Sequence, residues 1–228
     1  MSRPTSWTLI RAAGAGEPAA REEFVRRYGS VLRDYFGARW RGSPREAQVE
    51  DAVHEVLVRC MEAGNPLERA DPERPGGFRP YLAGICRNVA LAAETARGRE
   101  RPRGASGPPE LAALEAREER LSRVFDRAFA EAVMGEARRL QAERAGAAGE
   151  RALRRVELLR LRFEEGLAIR QVAAAWGVEA ATLHHEYARA REEFREALHE
   201  AVAFHCPGAG RERIEAEARA LTAALSVS

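Results

Sequence analysis

The stretch "IRQVAAAWGVEAATLHHEYARAR", Ile169 to Arg191, places two helix-like segments on either side of a single glycine. In the first segment, Ile169, Val172 and Trp176 recur at the spacing of one helical face. Gly177 stands where a tight turn between helices needs a left-handed backbone. Small and apolar residues occupy the remaining packing positions: Ala173, Val178, Leu183 and Tyr187. The pattern predicts a helix-turn-helix.

A helix-turn-helix presents the first turns of its second helix to base edges in the DNA major groove. The polar or small positions that remain outside the packing face are therefore candidate DNA contacts, with one residue of the first helix placed to reach the backbone. These candidates are Gln171, Glu179, Ala181, Thr182, His185 and Arg189. A helical hairpin without DNA function shares most of this pattern and remains an alternative.

The adjacent histidines, His184 and His185, raise the separate possibility of a metal site. Neighbouring residues on a helix point about 100° apart, so the pair cannot face one ion. No CxxC or HxxxH spacing connects them to the histidines and cysteine downstream. We expect no metal, with His184 partly buried in packing and His185 on the surface.

The composition narrows the class of protein. The chain has 228 residues, 45% hydrophobic and 32% charged, with a formal net charge of +2. That charge argues against a uniformly basic nucleic-acid binder. The three cysteines are widely separated, which argues against a disulfide framework and for a reducing compartment. Without a secretory h-region or an apolar run of roughly 18 residues, we expect a soluble, cytoplasmic protein with no membrane partner.

Helical periodicity dominates the chain and predicts an all-α fold of two small helical domains. In the first domain the apolar residues from Phe24 to Phe36 follow three- and four-residue steps, and a second amphipathic run extends from Val49 to Met61. The proline- and glycine-rich segment after Gly98 predicts a flexible basic linker. The predicted boundaries are 15–97 for the first domain, 98–115 for the linker, 116–204 for the second domain and 205–228 for a tail of unknown role.

Several segments together resemble the sigma-70 family of bacterial RNA polymerase sigma factors, in its extracytoplasmic-function group. "EFVRRYGSVLRDYF" (23–36), "EDAVHEVLVRCMEA" (50–63) and "FRPYLAGICRNVALAAETARGR" (78–99) are similar to successive helices of sigma region 2. "LLRLRFEEGLAIRQVAAAWGV" (158–178) is similar to region 4. The resemblance covers about residues 20–100 and 120–200, and the tail beyond His205 has no counterpart.

The resemblance implies a promoter-selecting subunit whose partners are core RNA polymerase and promoter DNA, with an anti-sigma factor as a further partner. It assigns polymerase binding to the outward side of the second helix, through Asp51, His54, Glu55 and Arg59, although a solvated face fits the same residues. It assigns minus-ten promoter contacts to Phe78, Arg79, Tyr81, Arg87 and Asn88, with core packing as the alternative for the two aromatic residues. The helix-turn-helix would bind the minus-thirty-five element.

Other interpretations stay open. No catalytic triad, phosphate loop or paired-carboxylate motif is present, so we expect no enzyme activity, cofactor or small-molecule substrate. A stand-alone helix-turn-helix repressor or activator, a degenerate sigma-like adaptor and a metalloenzyme built on the histidines are the alternatives. Acidic residues in the loop Gly64–Gly77 and along the second helix of the motif suggest weak promoter affinity, reliance on polymerase, or a member that no longer melts DNA. These are Glu68, Asp71, Glu73, Glu179, Glu186, Glu192 and Glu193.

Overall fold

The computed structural model describes residues 5–61, 78–96 and 108–226, and within those ranges every long element is helical. The described residues form nine successive α-helices, with a short 3-10 turn (Glu46–Gln48) before the third. They are α1 (Ser6–Gly14), α2 (Pro18–Trp40), α3 (Val49–Met61), α4 (Arg79–Ala96), α5 (Pro108–Ala148), α6 (Glu150–Phe163), α7 (Ile169–Trp176), α8 (Ala180–His205) and α9 (Arg211–Ser226). The all-α prediction is confirmed for these residues. The predicted loop Gly64–Gly77 and residues 98–107 of the predicted linker lie outside them.

Contacts between residues group the chain into two units whose boundaries differ from those predicted. One unit combines Met1–Ala132 with Val202–Ser228, and the other is Val133–Ala201. The predicted boundaries followed breaks in the sequence pattern, whereas α5 and α8 are long helices that contribute residues to both units.

Residues 108–115, predicted as the end of the linker, belong to helix α5. The two prolines that open this helix are compatible with its first turn, because the first helical N–H groups have no acceptor within the helix. A proline pair therefore marks a helix start here rather than a continued linker.

The sequence pattern did not predict α1, which precedes the expected first domain. Its start is a capping box, in which the Thr5 hydroxyl accepts from the Thr8 N–H at 3.2 Å and the Thr8 hydroxyl accepts from the Thr5 N–H at 2.7 Å. Trp7, Ile10 and Ala13 are buried on one face of α1. The sequence pattern that indicates this helix is the pair Thr5 and Thr8, combined with Trp7, Ile10 and Ala13 at helical spacing.

An aromatic cluster forms the centre of the first unit. Phe24, Tyr28, Phe78 and Phe129 pack together with the ring of His205, and all five are buried. The Tyr28 hydroxyl lies 3.2 Å from Nδ1 of His205, and the His205 carbonyl accepts from the Phe78 N–H at 3.1 Å. The predicted tail 205–228 therefore begins inside this core.

A buried ion network joins three helices of the same unit. The Arg39 side chain is 1% exposed and donates two hydrogen bonds of 2.9 Å to the Glu94 carboxylate and one of 2.8 Å to Glu118. Trp40 Nε1 also donates to Glu94, at 3.0 Å. Burial alone would raise the pKa of Glu94, but the hydrogen bonds from Arg39 and Trp40 outweigh it and hold that pKa below its usual value.

None of the helices in the described ranges is long and apolar enough to cross a bilayer.

Candidate nucleic-acid interface

The packing predicted around the glycine at 177 is confirmed within the second unit. Leu158 of α6, Ile169, Val172 and Ala173 of α7, and Leu183 of α8 form a buried cluster. Trp176, Val178 and Tyr187 pack against this cluster from its edge. Helices α7 and α8 therefore meet through the apolar positions that the sequence pattern assigned to their contact.

The turn between these helices depends on Gly177. Its φ of 63° and ψ of 34° are left-handed, a conformation that glycine adopts at little cost. The N–H of Val178 then reaches back to the Ala173 carbonyl at 3.0 Å, which closes the turn. Three residues, Gly177 to Glu179, therefore connect the end of α7 to the start of α8.

The candidate contacts on α8 and at the residue just before it are all exposed: Glu179, Ala181, Thr182, His185 and Arg189. His184 is exposed as well, so the prediction that it is partly buried was wrong. Leu183 and Ala190 define the packed side of the helix. His184 follows Leu183 by about 100° and lies beyond the packed side, whereas Tyr187, four residues after Leu183, returns to it.

Gln171, predicted to reach the DNA backbone, is exposed but also supports its own helix. Its side-chain oxygen accepts a hydrogen bond of 2.7 Å from the backbone N–H of Ala168 at the start of α7. This satisfies one of the donors that a helix N-terminus leaves without an intrahelical acceptor. The side-chain amide N–H group of Gln171 remains the part that a phosphate would meet.

Two of the acidic residues along α8 are neutralised by arginines of α6. Arg155, 7% exposed, donates to both oxygens of Glu193 at 2.9 and 2.7 Å, and its other terminal nitrogen lies 3.3 Å from Glu186. Arg151 also hydrogen-bonds to Glu186, and this bond is the main reason that the pKa of Glu186 is lowered. Their negative charge is therefore directed at α6 and is reduced on the outer face of α8.

Sequence reasoning missed three cationic side chains of this unit. Arg170, beside Gln171 at the start of α7, is exposed and forms no ion pair with any described residue. Arg191 lies on α8 with its guanidinium 5.8 Å from the Tyr187 ring centre. Arg154 of α6 lies over the Trp176 ring at 5.0 Å, at the edge of a groove of about 440 Å³ that Thr182 also lines. The sequence pattern did not show that these three side chains are exposed, because exposure depends on how the helices pack.

In the first unit, the predicted minus-ten residues have different environments. Phe78 is fully buried in the aromatic cluster, so it cannot stack on a DNA base without leaving the core. Tyr81 is half-buried and packs edge-to-face on Trp7, with ring centres 5.3 Å apart. Asn88 and Arg87 are exposed on α4, and Arg87 lies 3.4 Å from the Glu118 carboxylate. Arg87 and Asn88 therefore remain accessible candidates.

Arg79 stands at the first position of α4 and is paired on two sides. Its terminal nitrogens lie 3.7 Å from Asp126 of α5 and 3.4 Å from Glu217 of α9, and its side chain is 22% exposed. Among the described residues, Arg79 is the predicted DNA contact that forms an ion pair with α9.

The predicted polymerase-binding residues occupy the outer side of α3. Asp51, His54 and Glu55 are exposed, while Arg59 is half-buried and pairs with Glu55 at 2.7 Å. His54 also lines a groove of about 680 Å³ between α2 and α3, together with the apolar side chains Val25, Leu57, Val58 and Met61. Val25 is 39% exposed at this groove.

No cluster of three potential metal ligands occurs in the part of the chain that the structure describes. Compared with known protein families and with curated proteins, the chain has no match in either set.

Proposed function

We propose that this chain is a sigma-type promoter-recognition subunit of bacterial RNA polymerase, a non-catalytic protein that acts in the cytoplasm. The observation that carries the proposal is the helix-turn-helix of the second unit. Its left-handed Gly177 and packed Leu183 leave Thr182, His185 and Arg189 together on an exposed face of α8. The resemblance of the first unit to sigma region 2 supports the polymerase part of the proposal.

In this function α8 enters the major groove of the minus-thirty-five element. Thr182 and His185 contact base edges, and the small Ala181 leaves room for a thymine methyl group. Arg189 forms only an exposed pair with Glu193 at 3.3 Å, which a DNA phosphate can replace at little cost. Arg170 and Gln171 at the start of α7 contact the backbone and set the register of the helix on the duplex.

The first unit supplies the polymerase contact and the minus-ten contact. The exposed Asp51, His54 and Glu55 lie on the same helix as the apolar groove residues Leu57 and Val58. A polar rim beside an apolar strip is the composition of a protein–protein interface, which fits docking of a helical segment of polymerase. Arg87 and Asn88 on α4 would contact the opened minus-ten strand.

Run-off transcription with core polymerase is the experiment that tests the proposal. The wild-type chain should direct initiation from a subset of promoters, and Arg189→Gln should reduce it about tenfold at unchanged polymerase affinity, a loss typical of a removed DNA contact. Arg195→Gln, the same change about 9 Å further along α8, is the matched control and should have a much smaller effect.

A separate pair of measurements distinguishes the alternatives. Asp51→Asn combined with Glu55→Gln should weaken co-elution with core polymerase while leaving the protein folded. A stand-alone regulator would instead bind a specific duplex tightly without polymerase, which a gel-shift assay detects. Specific duplex binding by the chain alone, with no polymerase association, would reject the sigma function in favour of that alternative.

A further inference from the structure

We propose that the C-terminal helix α9 shields Arg79 from nucleic acid, so that Glu217 and Asp126 occupy the guanidinium that a DNA phosphate would otherwise bind. The inference rests on the proposed function, which places the minus-ten strand at α4. It gives a role to a segment that the family resemblance does not cover.

The position of α9 is set by packing rather than by the ion pair. Ala218 and Leu221 are buried on its inner face, and the chain just before it is anchored by the buried residues His205 and Cys206. Glu217 precedes Ala218 and is therefore held at the edge of the packed face, where its carboxylate meets Arg79 at 3.4 Å. The packing of α9 therefore holds the Glu217 carboxylate beside Arg79.

The location of Arg79 favours a negative partner. Arg79 is the first residue of α4, at the helix end where the dipole disfavours a cation and favours an anion. Two carboxylates from other helices satisfy it within the protein. A phosphate group at the same place would satisfy both the guanidinium and the helix end, so nucleic acid and α9 compete for one position.

The contacts are loose enough to be exchanged. The distances of 3.4 and 3.7 Å are longer than those of charge-assisted hydrogen bonds, about 2.7–2.9 Å. By contrast, Arg155 of the second unit donates to Glu193 at 2.7 and 2.9 Å. The charge of Arg79 is therefore neutralised by contacts that a DNA phosphate can displace.

The test uses the full chain and single-stranded DNA as the probe, with affinity measured over a range of salt concentrations. Glu217→Gln keeps the shape of the side chain and removes its charge. We expect about fivefold tighter binding, because a partly exposed ion pair is worth up to about 1 kcal/mol. We also expect log K to fall more steeply with log salt, by roughly 0.7, because one more phosphate is engaged on a single strand.

The matched control is Glu212→Gln, which makes the same charge change on the same helix at an exposed residue that forms no ion pair with the described residues. It should leave the salt slope unchanged. In an Arg79→Gln background, Glu217→Gln should no longer raise the affinity, since the residue that it releases is absent. Asp126→Asn, at the longer distance, should produce a smaller gain and serves as a second variant if Glu217→Gln destabilises the fold.

The outcomes separate this inference from the proposed function. Equal slopes for wild type, Glu217→Gln and Asp126→Asn would overturn the shielding role, as would a gain that persists in the Arg79→Gln background. Failure of the chain to associate with core polymerase would reject the sigma function whatever the DNA results. If the shielding role and the sigma function are both correct, the affinity of the holoenzyme for a fork-junction promoter should rank these variants in the same order.

Discussion

Replacement of Gly177 by alanine is expected to destabilise the helix-turn-helix without any steric clash. A Cβ added at this glycine would meet no atom within 4 Å, so the whole effect comes from the backbone, whose φ is 63°. Holding an L-residue in the left-handed region costs about 1–2 kcal/mol. Alanine also restricts the unfolded chain, which returns about 0.4–1 kcal/mol. The expected net loss is about 1 kcal/mol.

Gly135→Ala is the matched control for this substitution. Gly135 is exposed within α5 in the same unit, and a Cβ there would also meet nothing within 4 Å. In a helix interior, alanine is more favourable than glycine by about 0.5–1 kcal/mol. The same chemical change should therefore stabilise one position and destabilise the other.

Hydrogen exchange of the peptides that cover α7 and the first turns of α8 measures the effect locally. For Gly177→Ala, a loss of about 1 kcal/mol corresponds to roughly fivefold faster exchange at amides that open with the motif. Gly177→Asn should lie between alanine and wild type, because asparagine tolerates the left-handed region better. Equal or slower exchange in Gly177→Ala than in wild type would refute the assignment of strain to this turn.

Three further predictions concern the first unit. Arg39→Met should cost about 3 kcal/mol in urea unfolding, because it removes the buried cation shared by Glu94 and Glu118 and leaves them only the longer ion pairs, with Arg117 at 3.7 Å and Arg87 at 3.4 Å. Arg33→Met, in an exposed pair, should cost under about 1 kcal/mol. Because the pKa of Glu94 is lower in the folded protein than in the unfolded chain, where it is about 4.3, the ionised carboxylate stabilises the fold above that pH. This stabilisation is lost as the pH falls through the pKa of the folded state. In a pH series of urea unfolding midpoints, Glu94→Gln should therefore lose less stability on acidification than the wild type. Burial raises the pKa of Cys60 to about 12, so iodoacetamide at pH 8 should label it only after unfolding, as mass spectrometry would show.

The helix-turn-helix was predictable from sequence because its information is local. The spacing of Ile169, Val172 and Leu183 about a single glycine specifies both the packing face and the turn, and the structure has each of them in the expected place. His184 is the exception. One step of about 100° separates it from Leu183, and a helical period alone does not say how wide the buried stripe is.

Surface charge was less predictable because it depends on partners distant in sequence. The acidic residues Glu186 and Glu193 suggested a helix unsuited to DNA, yet Arg151 and Arg155, more than thirty residues earlier, neutralise them. Ion pairs of this kind form only after α6 and α8 have packed. The accessible cations, Arg170 among them, are defined by the same packing.

Short-range periodicity and backbone preference are enough to predict the helical class, most helix positions and the turn at Gly177. Long-range packing, in contrast, places Phe78 in the core, the chain beyond His205 in the first unit and Glu217 beside Arg79. These outcomes depend on contacts between residues far apart in sequence, such as Tyr28 with Phe78, Tyr28 with His205 and Arg79 with Glu217. A side chain's exposure and its charge partner are properties of that packing, and no local pattern contains them.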